Sequence, residues 1–296
     1  MEIAIISSTK DIASANIKER LLENYDFVKT EIKFDGNGVY GYLIGNKDIK
    51  LYTIEAPLIT REDLDKNIDA DIFLFISRHR AEGERASLTV HPIGNFGKAG
   101  AGGKDSQLAA SNPEYFKKIL KELTESIKGS QYEATVESTH HGPFMEKPAL
   151  FVELGSNEKY WNDKNGAKMI ANSLMNAISN TENKRIKIIS SDENKLQSTK
   201  NGDWNNEVLF VVGGSHYSHV ANKVLLSSNF SVCHICPKHN LENLNDDMLN
   251  QAIERSVPKA KSVLLDWKGL GKEKQRILDM LGRNKVEYKR SDRFFD

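Results

Sequence analysis

The chain has 296 residues, 39% of them hydrophobic, and its 41 basic side chains balance 41 acidic ones. Zero net charge excludes a global basic field, so a nucleic acid would have to be held by a local patch. Apolar runs fall short of the ~18 residues of a membrane span, and the N-terminus resembles no secretion signal, so no membrane partner is expected. Two cysteines exclude a disulfide scaffold and favour the cytoplasm.

Hydrophobic periodicity and turn residues predict alternating strands and helices along the chain. In the first half they predict a strand at 2–8, a helix at 11–25, a hairpin at 39–55 turning at Gly45-Asn46, strands at 69–79 and 87–97, a helix at 112–129, and strands at 132–138 and 149–156. In the second half they predict a helix at 165–180, a polar insertion at 180–206 with a short strand at 184–191, strands at 207–219 and 229–240, a helix at 245–256, a strand and turn at 261–271, and a helix at 272–284.

This alternation predicts a layered α/β fold, with helices on both faces of a mostly parallel central sheet that the early hairpin makes mixed. We expect a single catalytic domain over residues 1–296 and a monomer. Residues 254–296 contain twelve Lys or Arg against seven Asp or Glu, which makes this C-terminal region the candidate for a local basic patch.

Four histidines follow or end predicted strands, namely His79, His91, His140 and His216. In open α/β sheets, functional sites lie beyond the carboxyl ends of the strands, so these imidazoles are expected to meet at one edge. Glu137 and Glu153 add carboxylates on neighbouring strands. Imidazole binds zinc and exchanges protons near neutral pH, so this edge suits general acid–base or metal-assisted hydrolysis.

Glycines and cysteines offer weaker signals. The run "GKAGAGGKD" at 97–105 has exposed backbone amides that could surround a phosphate or an oxyanion, but it lacks the lysine spacing of a P-loop. Cys233, Cys236 and His239 have the spacing of metal ligands. Apolar neighbours, however, favour a buried strand in which the cysteines act as small hydrophobic residues.

Six blocks of the sequence resemble the archaeal and plant type of D-aminoacyl-tRNA deacylase. They occur in the order expected for that family and cover most of the chain, at 77–103, 138–143, 152–161, 212–217, 234–239 and 265–270. The sequence departs from the family pattern at Ser215, where a third glycine is usual, and in its longer polar insertion.

The resemblance implies a cytoplasmic zinc enzyme that hydrolyses the ester between a D-amino acid and the terminal ribose of tRNA. It implies an α/β fold similar to phosphorylase/hydrolase and peptidyl-tRNA hydrolase cores. An aminoacyl ester is already activated, so such an enzyme needs a positioned water and hydrogen-bond donors for the oxyanion. A basic region would then hold tRNA through its phosphates, without DNA as a partner.

Roles are predicted for individual residues on this basis. The catalytic candidates are His140, His141, Glu137 and His79. The candidate zinc ligands are His91, His140, His216 and Glu153. The candidates for binding substrate or tRNA are Arg78, Arg80, Asn95, Gly102, Gly103, Lys104, Gly213, Gly214 and Lys268.

Two other functional classes remain open from the sequence. A zinc-dependent peptidase or a nucleosidase-like hydrolase on the same fold would act on a small substrate without tRNA. A non-catalytic tRNA-binding module would bind tRNA and leave the ester intact. Turnover of an aminoacyl-tRNA ester separates both alternatives from the deacylase.

Overall fold

The computed structural model describes residues 1–179 and 207–294. The predicted polar insertion, with its short strand at 184–191, lies outside the described residues. The strands are β1 (Glu2–Ser8), β2 (Val28–Phe34), β3 (Asn37–Ile44), β4 (Lys47–Ile54), β5 (Ile72–Arg80), β6 (Ser87–Pro92), β7 (Gly94–Asn95), β8 (Gln107–Leu108), β9 (Glu133–Val136), β10 (Ala149–Ser156), β11 (Val208–Val212), β12 (Ser231–Cys236), β13 (Ser262–Leu265) and β14 (Tyr288–Arg290). The helices are α1 (Ile12–Asn24), α2 (Leu64–Asn67), α3 (Pro113–Ser126), α4 (Glu158–Trp161), α5 (Lys164–Ser179), α6 (His219–Ser227), α7 (Asp246–Glu254) and α8 (Lys274–Arg283).

The strands form two main sheets. The larger has eight strands in the order β2-β3-β4-β1-β5-β10-β6-β9, and the smaller has four in the order β12-β11-β13-β14. Every pair in the smaller sheet is parallel, whereas β2-β3, β3-β4 and β10-β6 in the larger sheet are antiparallel. The predicted α/β fold with a mostly parallel, mixed sheet is therefore confirmed, including the β3–β4 hairpin.

Side chains cap the starts of several helices. Asp11 accepts a hydrogen bond from the Ser14 amide at the start of α1, and Asn112 accepts one from Tyr115 at the start of α3. These caps satisfy amides that have no partner within the helix. Within the described residues, no helix is both long and apolar enough to cross a membrane.

The two faces of the larger sheet have different coverings. Ile3, Ile5, Leu74 and Val152 belong to one buried cluster with residues of α1, α3 and α5. The other face carries Phe73, Phe75 and Phe151, which pack with residues of α2 and of loops. Because side chains alternate along a strand, the polar residues that follow on β5 and β10 emerge on this second face.

Candidate active site

The site lies across one face of the larger sheet rather than at one edge, which corrects the expectation from the strand ends. Glu153 pairs with Ser77 on one side and with Thr89 on the other, and His91 pairs with Phe151. β6 runs antiparallel to β10, so the carboxyl end of β6 lies at the opposite end of the sheet from the carboxyl end of β5. Side chains from β5, β6 and β10 therefore meet over the middle of the sheet.

Gly155 makes room for His79 on this face. The two residues are paired across β10 and β5, and a Cβ on Gly155 would lie 2.7 Å from both Cβ and Cδ2 of His79. Heavy atoms of a real side chain essentially never approach so closely. The absence of a side chain at position 155 thus fixes how His79 stands beside Glu153.

The turn after β9 carries the adjacent histidines. His141 has a left-handed backbone with φ of 43°, and the amide of Gly142 donates to the carbonyl of Ala101 at 3.1 Å. A Cβ on Gly142 would overlap the backbone of Gly102 and Gly103. The glycine-rich loop therefore packs directly against the turn and holds His140 and His141 in place.

Three imidazoles converge with the same orientation. The Nδ1 atoms of His91, His140 and His141 lie 3.0, 2.8 and 2.7 Å from backbone carbonyl oxygens. A carbonyl can only accept, so each Nδ1 carries the proton and each Nε2 keeps its lone pair. One ring nitrogen from each residue lies within 4.8 Å of the others. This is the arrangement in which backbone carbonyls orient histidines that bind a metal.

Two carboxylates stand beside these rings. Oε1 of Glu153 is 3.7 Å from Nε2 of His91 and 4.0 Å from Nε2 of His141. Oε2 of Glu137 accepts a hydrogen bond from Nε2 of His216 at 2.8 Å and lies 3.8 Å from Nε2 of His140. Both carboxylates are almost completely buried, so their charges act in a medium of low dielectric constant.

His79 connects the two carboxylates to the cavity. Its Nδ1 is 3.0 Å from Oε1 of Glu137 and 3.4 Å from Oε2 of Glu153, and its Nε2 is 2.7 Å from the hydroxyl of Tyr217. Tyr217 is 37% exposed, so it lies where the buried cluster meets solvent. Tyr217 was not predicted from the sequence, although it directly follows His216.

Burial and neighbouring charges move the pKa values of the imidazoles in opposite directions. Burial, reinforced by His91, lowers the pKa of His141 to about 4, and burial with His91 and His141 holds the pKa of His140 well below its usual range. Burial would also lower the pKa of His79, but Glu137 and Glu153 outweigh it and raise that pKa to about 11. His140 and His141 are therefore neutral at pH 7, and His79 is charged.

The carboxylates respond in the same way. Burial alone would raise the pKa of Glu137, but the hydrogen bonds from His216 and His79 outweigh it and hold the pKa well below the usual range. For Glu153, His79 and His91 likewise outweigh burial and lower the pKa. Burial would lower the pKa of His91, but Glu153 raises it. Both carboxylates thus remain ionised.

The predicted zinc ligands are divided among three candidate metal groups. His91, His140 and His141 form one group, Glu137, His140 and His216 form a second, and Glu153 belongs to a third with His79 and Glu137. His216 already uses both ring nitrogens, since its Nδ1 lies 2.9 Å from the Ser138 hydroxyl. The first group leaves its Nε2 atoms available to a ligand, and the buried Nε2 of His91 has no hydrogen-bond partner among the described residues. His141, predicted only as catalytic, therefore replaces His216 in the better candidate set.

The cluster opens into a cavity of about 690 Å³. Arg78, Arg80 and Arg85 line the cavity, and the consecutive residues Pro57, Leu58 and Ile59 give it a less polar wall. A volume of this size accommodates an aminoacylated nucleoside. Arg85 and the apolar wall were missed, because nothing in their local sequence distinguishes them from ordinary surface residues.

The remaining predicted binding residues do not line this cavity. Asn95 donates from its side chain to the Gly102 carbonyl at 3.0 Å, and the Lys104 ammonium lies 4.1 Å from the centre of the Phe144 ring. Gly213 and Gly214 pack against Asp266, and Lys268 is exposed in the turn after β13. Direct contact between these residues and substrate stays a prediction.

Cys233 and Cys236 are fully buried, as expected for small hydrophobic residues. The Cys233 sulfur lies 3.4 Å from the carbonyl oxygen of Leu209 and 3.3 Å from that of Ala252, so its single S–H can donate to either. Burial raises the pKa of Cys233 to about 12, which disfavours the thiolate that would bind a metal. A metal site at these two cysteines is therefore not supported.

Fold and site together define an α/β protein with a buried histidine–carboxylate centre, which contains the groups that hydrolytic enzymes use. The D-aminoacyl-tRNA deacylase family model matches residues 66–289. A D-aminoacyl-tRNA deacylase of Pyrococcus abyssi is 32% identical over 287 residues, covering 94% of this chain and 96% of its relative. One from Pyrococcus furiosus is 31% identical over 281 residues, covering 92% and 94%.

A crystal structure described as a conserved protein of unknown function superimposes with a TM-score of 0.79. It is 29% identical in sequence, and the match covers 99% of this chain and 95% of that one. These similarities extend over nearly the whole length of each chain. The chain therefore belongs to the D-aminoacyl-tRNA deacylase family.

Proposed function

We propose that this protein hydrolyses the ester bond of D-aminoacyl-tRNA and releases the free D-amino acid and tRNA. The observation that carries the proposal is the convergence of His79, His91, His140, His141 and His216 on two buried carboxylates, beside a cavity that all five histidines except the fully buried His91 line, in a chain of this family. tRNA is then the partner, and the cytoplasm, where charged tRNA is used, is the proposed location.

We further propose that His91, His140 and His141 hold a zinc ion. Three histidine nitrogens with an open coordination position are typical of catalytic zinc, and Glu153 lies within 4.0 Å of two of the three rings. Zinc bound there would lower the pKa of a water molecule and polarise the ester carbonyl. The unsatisfied Nε2 of His91 supports this choice.

The side chains around the three histidines would position and balance the reacting groups. The Glu137 and Glu153 carboxylates compensate positive charge that develops during attack of water. Charged His79 lies between these two carboxylates, offsets their mutual repulsion and bonds Tyr217, whose hydroxyl faces the cavity. The wall of Pro57, Leu58 and Ile59 would accept the amino acid side chain, and Arg78 and Arg80 the terminal phosphate of tRNA.

The direct test is incubation of the purified protein with matched D- and L-aminoacyl-tRNAs carrying the same amino acid. We expect release of the D-amino acid to be far faster, because both substrates present the same ester and tRNA and differ only in configuration. Equal rates for the two enantiomers would contradict the proofreading function. Turnover of peptides or nucleosides without tRNA would favour the alternative hydrolase.

A further inference from the structure

A second cleft adjoins the active-site cavity. It has a volume of about 490 Å³ and lies between the start of α1, the end of β5 and the junction of α4 with α5. Lys10, Asp11 and Arg78 line both the cavity and this side cleft. The side cleft therefore adjoins the cavity, and a ligand with one end at the histidines would reach the side cleft by passing these three residues.

The walls of the side cleft are tied together. The side-chain amide of Asn16 on α1 donates to the carbonyls of Trp161 and Asp163, at 3.0 and 3.2 Å. These bonds hold α1 against the segment between α4 and α5. Two walls of the side cleft are therefore attached to each other by hydrogen bonds.

The side cleft presents mainly positive charge. Arg78 and Lys164 are exposed and have no ion pair with any described residue, and Lys10 lies 3.8 Å from Glu55 in an exposed pair of little energetic weight. Asp11 is buried and accepts hydrogen bonds from the amides of Ser14 and Arg78. Its carboxylate is engaged by the protein, and Glu19, the other acidic residue of the lining, pairs with Arg20 at 3.2 Å, so cationic groups predominate on the surface offered to a ligand.

An aromatic residue supports one of these cations. The guanidinium carbon of Arg78 lies 5.5 Å from the ring centre of Trp161. The indole nitrogen of Trp161 donates to the carbonyl of His79 at 2.8 Å. A stacked guanidinium and indole give a flat cationic surface of the kind that binds single-stranded nucleic acid, and here it is fixed to the active-site strand.

We propose that the side cleft binds the phosphates of the single-stranded 3′ end of tRNA, leading the terminal ribose to the histidines. The inference rests on the proposed function. It predicts that the 3′ end of the tRNA runs along the side cleft towards the histidines. In the basic C-terminal region, by contrast, Arg283 and Arg290 pair with Asp246 and Asp292, and Arg276 binds Glu273 and the Leu244 carbonyl. Those three arginines therefore already have partners within the protein.

The test compares two substrates with the same ester, D-aminoacyl-tRNA and D-aminoacyl-adenosine, which has no phosphate. In a Lys10→Glu/Lys164→Glu double variant, we expect kcat/KM on the tRNA to fall about tenfold or more relative to that on the adenosine ester. The salt dependence of tRNA binding should also become less steep, by about 0.7 in log–log slope for each phosphate that the variant no longer neutralises.

Two variants serve as controls. Lys168→Glu reverses an exposed charge one turn further along α5, outside the side cleft, and should leave the ratio unchanged. Lys272→Glu/Lys274→Glu probes the C-terminal region. Circular dichroism checks that each variant is folded. An unchanged ratio in the double variant, an equal loss on both substrates, or a loss confined to the C-terminal variant would each overturn the inference.

Binding of uncharged tRNA separates failure of this inference from failure of the proposed function. If the wild-type protein hydrolyses neither ester, the proposed function fails. Weaker tRNA binding by the Lys10→Glu/Lys164→Glu variant would even then support the side cleft as the RNA site. If the wild-type protein hydrolyses both esters and tRNA binding is insensitive to these charges, only the side cleft is wrong.

Discussion

Gly155 is the residue on which the position of His79 depends most directly. We expect Gly155→Ala to lower the deacylation rate by at least tenfold, because the new Cβ would lie 2.7 Å from His79 and displace its ring from Glu137 and Glu153. Single-turnover kinetics with D-aminoacyl-tRNA measure the effect. Gly282→Ala is the matched control, since no atom of the described residues lies within 4 Å of the Cβ position in that helical glycine.

The control variant should retain its rate and gain about 0.5–1 kcal/mol of stability, since alanine favours a helix more than glycine does. A Gly155→Ala enzyme with the wild-type rate would show that the position of His79 does not matter for catalysis. Circular dichroism measures the folded fraction of each variant, and the rate is divided by that fraction so that unfolding is not mistaken for a loss of catalysis.

At the scale of residues, the sequence was a better guide to which residue types form the site than to how they are arranged in space. Four histidines stand at or just after the end of an apolar run, and this position identified them as site candidates in the sequence: His79, His91, His140 and His216. The antiparallel direction of β6 and the left-handed backbone of His141 depend on long-range pairing and on the glycine loop. Neither feature leaves a local pattern in the sequence. The sequence therefore predicted a site at one edge of the sheet, and it did not predict the candidate metal group of His91, His140 and His141.

At the scale of elements, one junction joins the two sheets next to the active site. The Ser138 amide donates to the carbonyl of His216 at 2.7 Å, and the Thr139 amide donates to the carbonyl of Ile235 at 3.0 Å. His234 completes the junction, with its Nδ1 3.3 Å from the Thr139 hydroxyl and its Nε2 3.1 Å from the Arg255 carbonyl. The turn that carries His140 and His141 is thereby attached to β12.

The junction should make stability depend on pH. Burial lowers the pKa of His234 to about 4, so below its ordinary value of 6.5 the unfolded chain binds a proton that the folded chain does not. Stability is therefore lost as the pH falls from 6.5 towards 4. We expect His234→Gln to lose about 2 kcal/mol less than wild type between pH 7.5 and 5.0, measured by urea unfolding of metal-free protein.

His140 and His141 titrate in both proteins, so the comparison isolates His234. The same loss of stability in His234→Gln and wild type would show that His234 is not held neutral at the junction. The absolute stability of the variant does not matter, because only the change with pH is compared.

The elements were predictable where caps or strong periodicity mark them. α1 and α3 begin at Asp11 and Asn112, and the β3–β4 hairpin turns where expected. β2 was missed because its charged sequence forms a largely exposed edge strand. The strand predicted at 207–219 ends at Val212, and α6, which was not predicted, begins at His219 after a Ser218 cap.

At the scale of the whole molecule, the site requires both sheets. β5, β6 and β10 supply His79, His91 and Glu153, and Glu137 directly follows β9, while His216 and Tyr217 follow β11 of the smaller sheet. Equal numbers of acids and bases conceal the local positive charge beside the cavity, which composition alone did not locate. A single domain and a monomer stay predictions, and the charge-reversal comparison above decides between the two candidate regions for tRNA.

The central claim is that His140 and His141 belong to a catalytic metal centre. The most direct measurement is single-turnover deacylation of D-aminoacyl-tRNA by His140→Ala and His141→Ala, with bound zinc counted on the same samples and exposed His219→Ala as the control. We predict rates lower by about 10²-fold or more, zinc content falling in parallel, and a control equal to wild type. A lower rate with zinc retained would make the residue a general base, and wild-type rates in both variants would contradict the account.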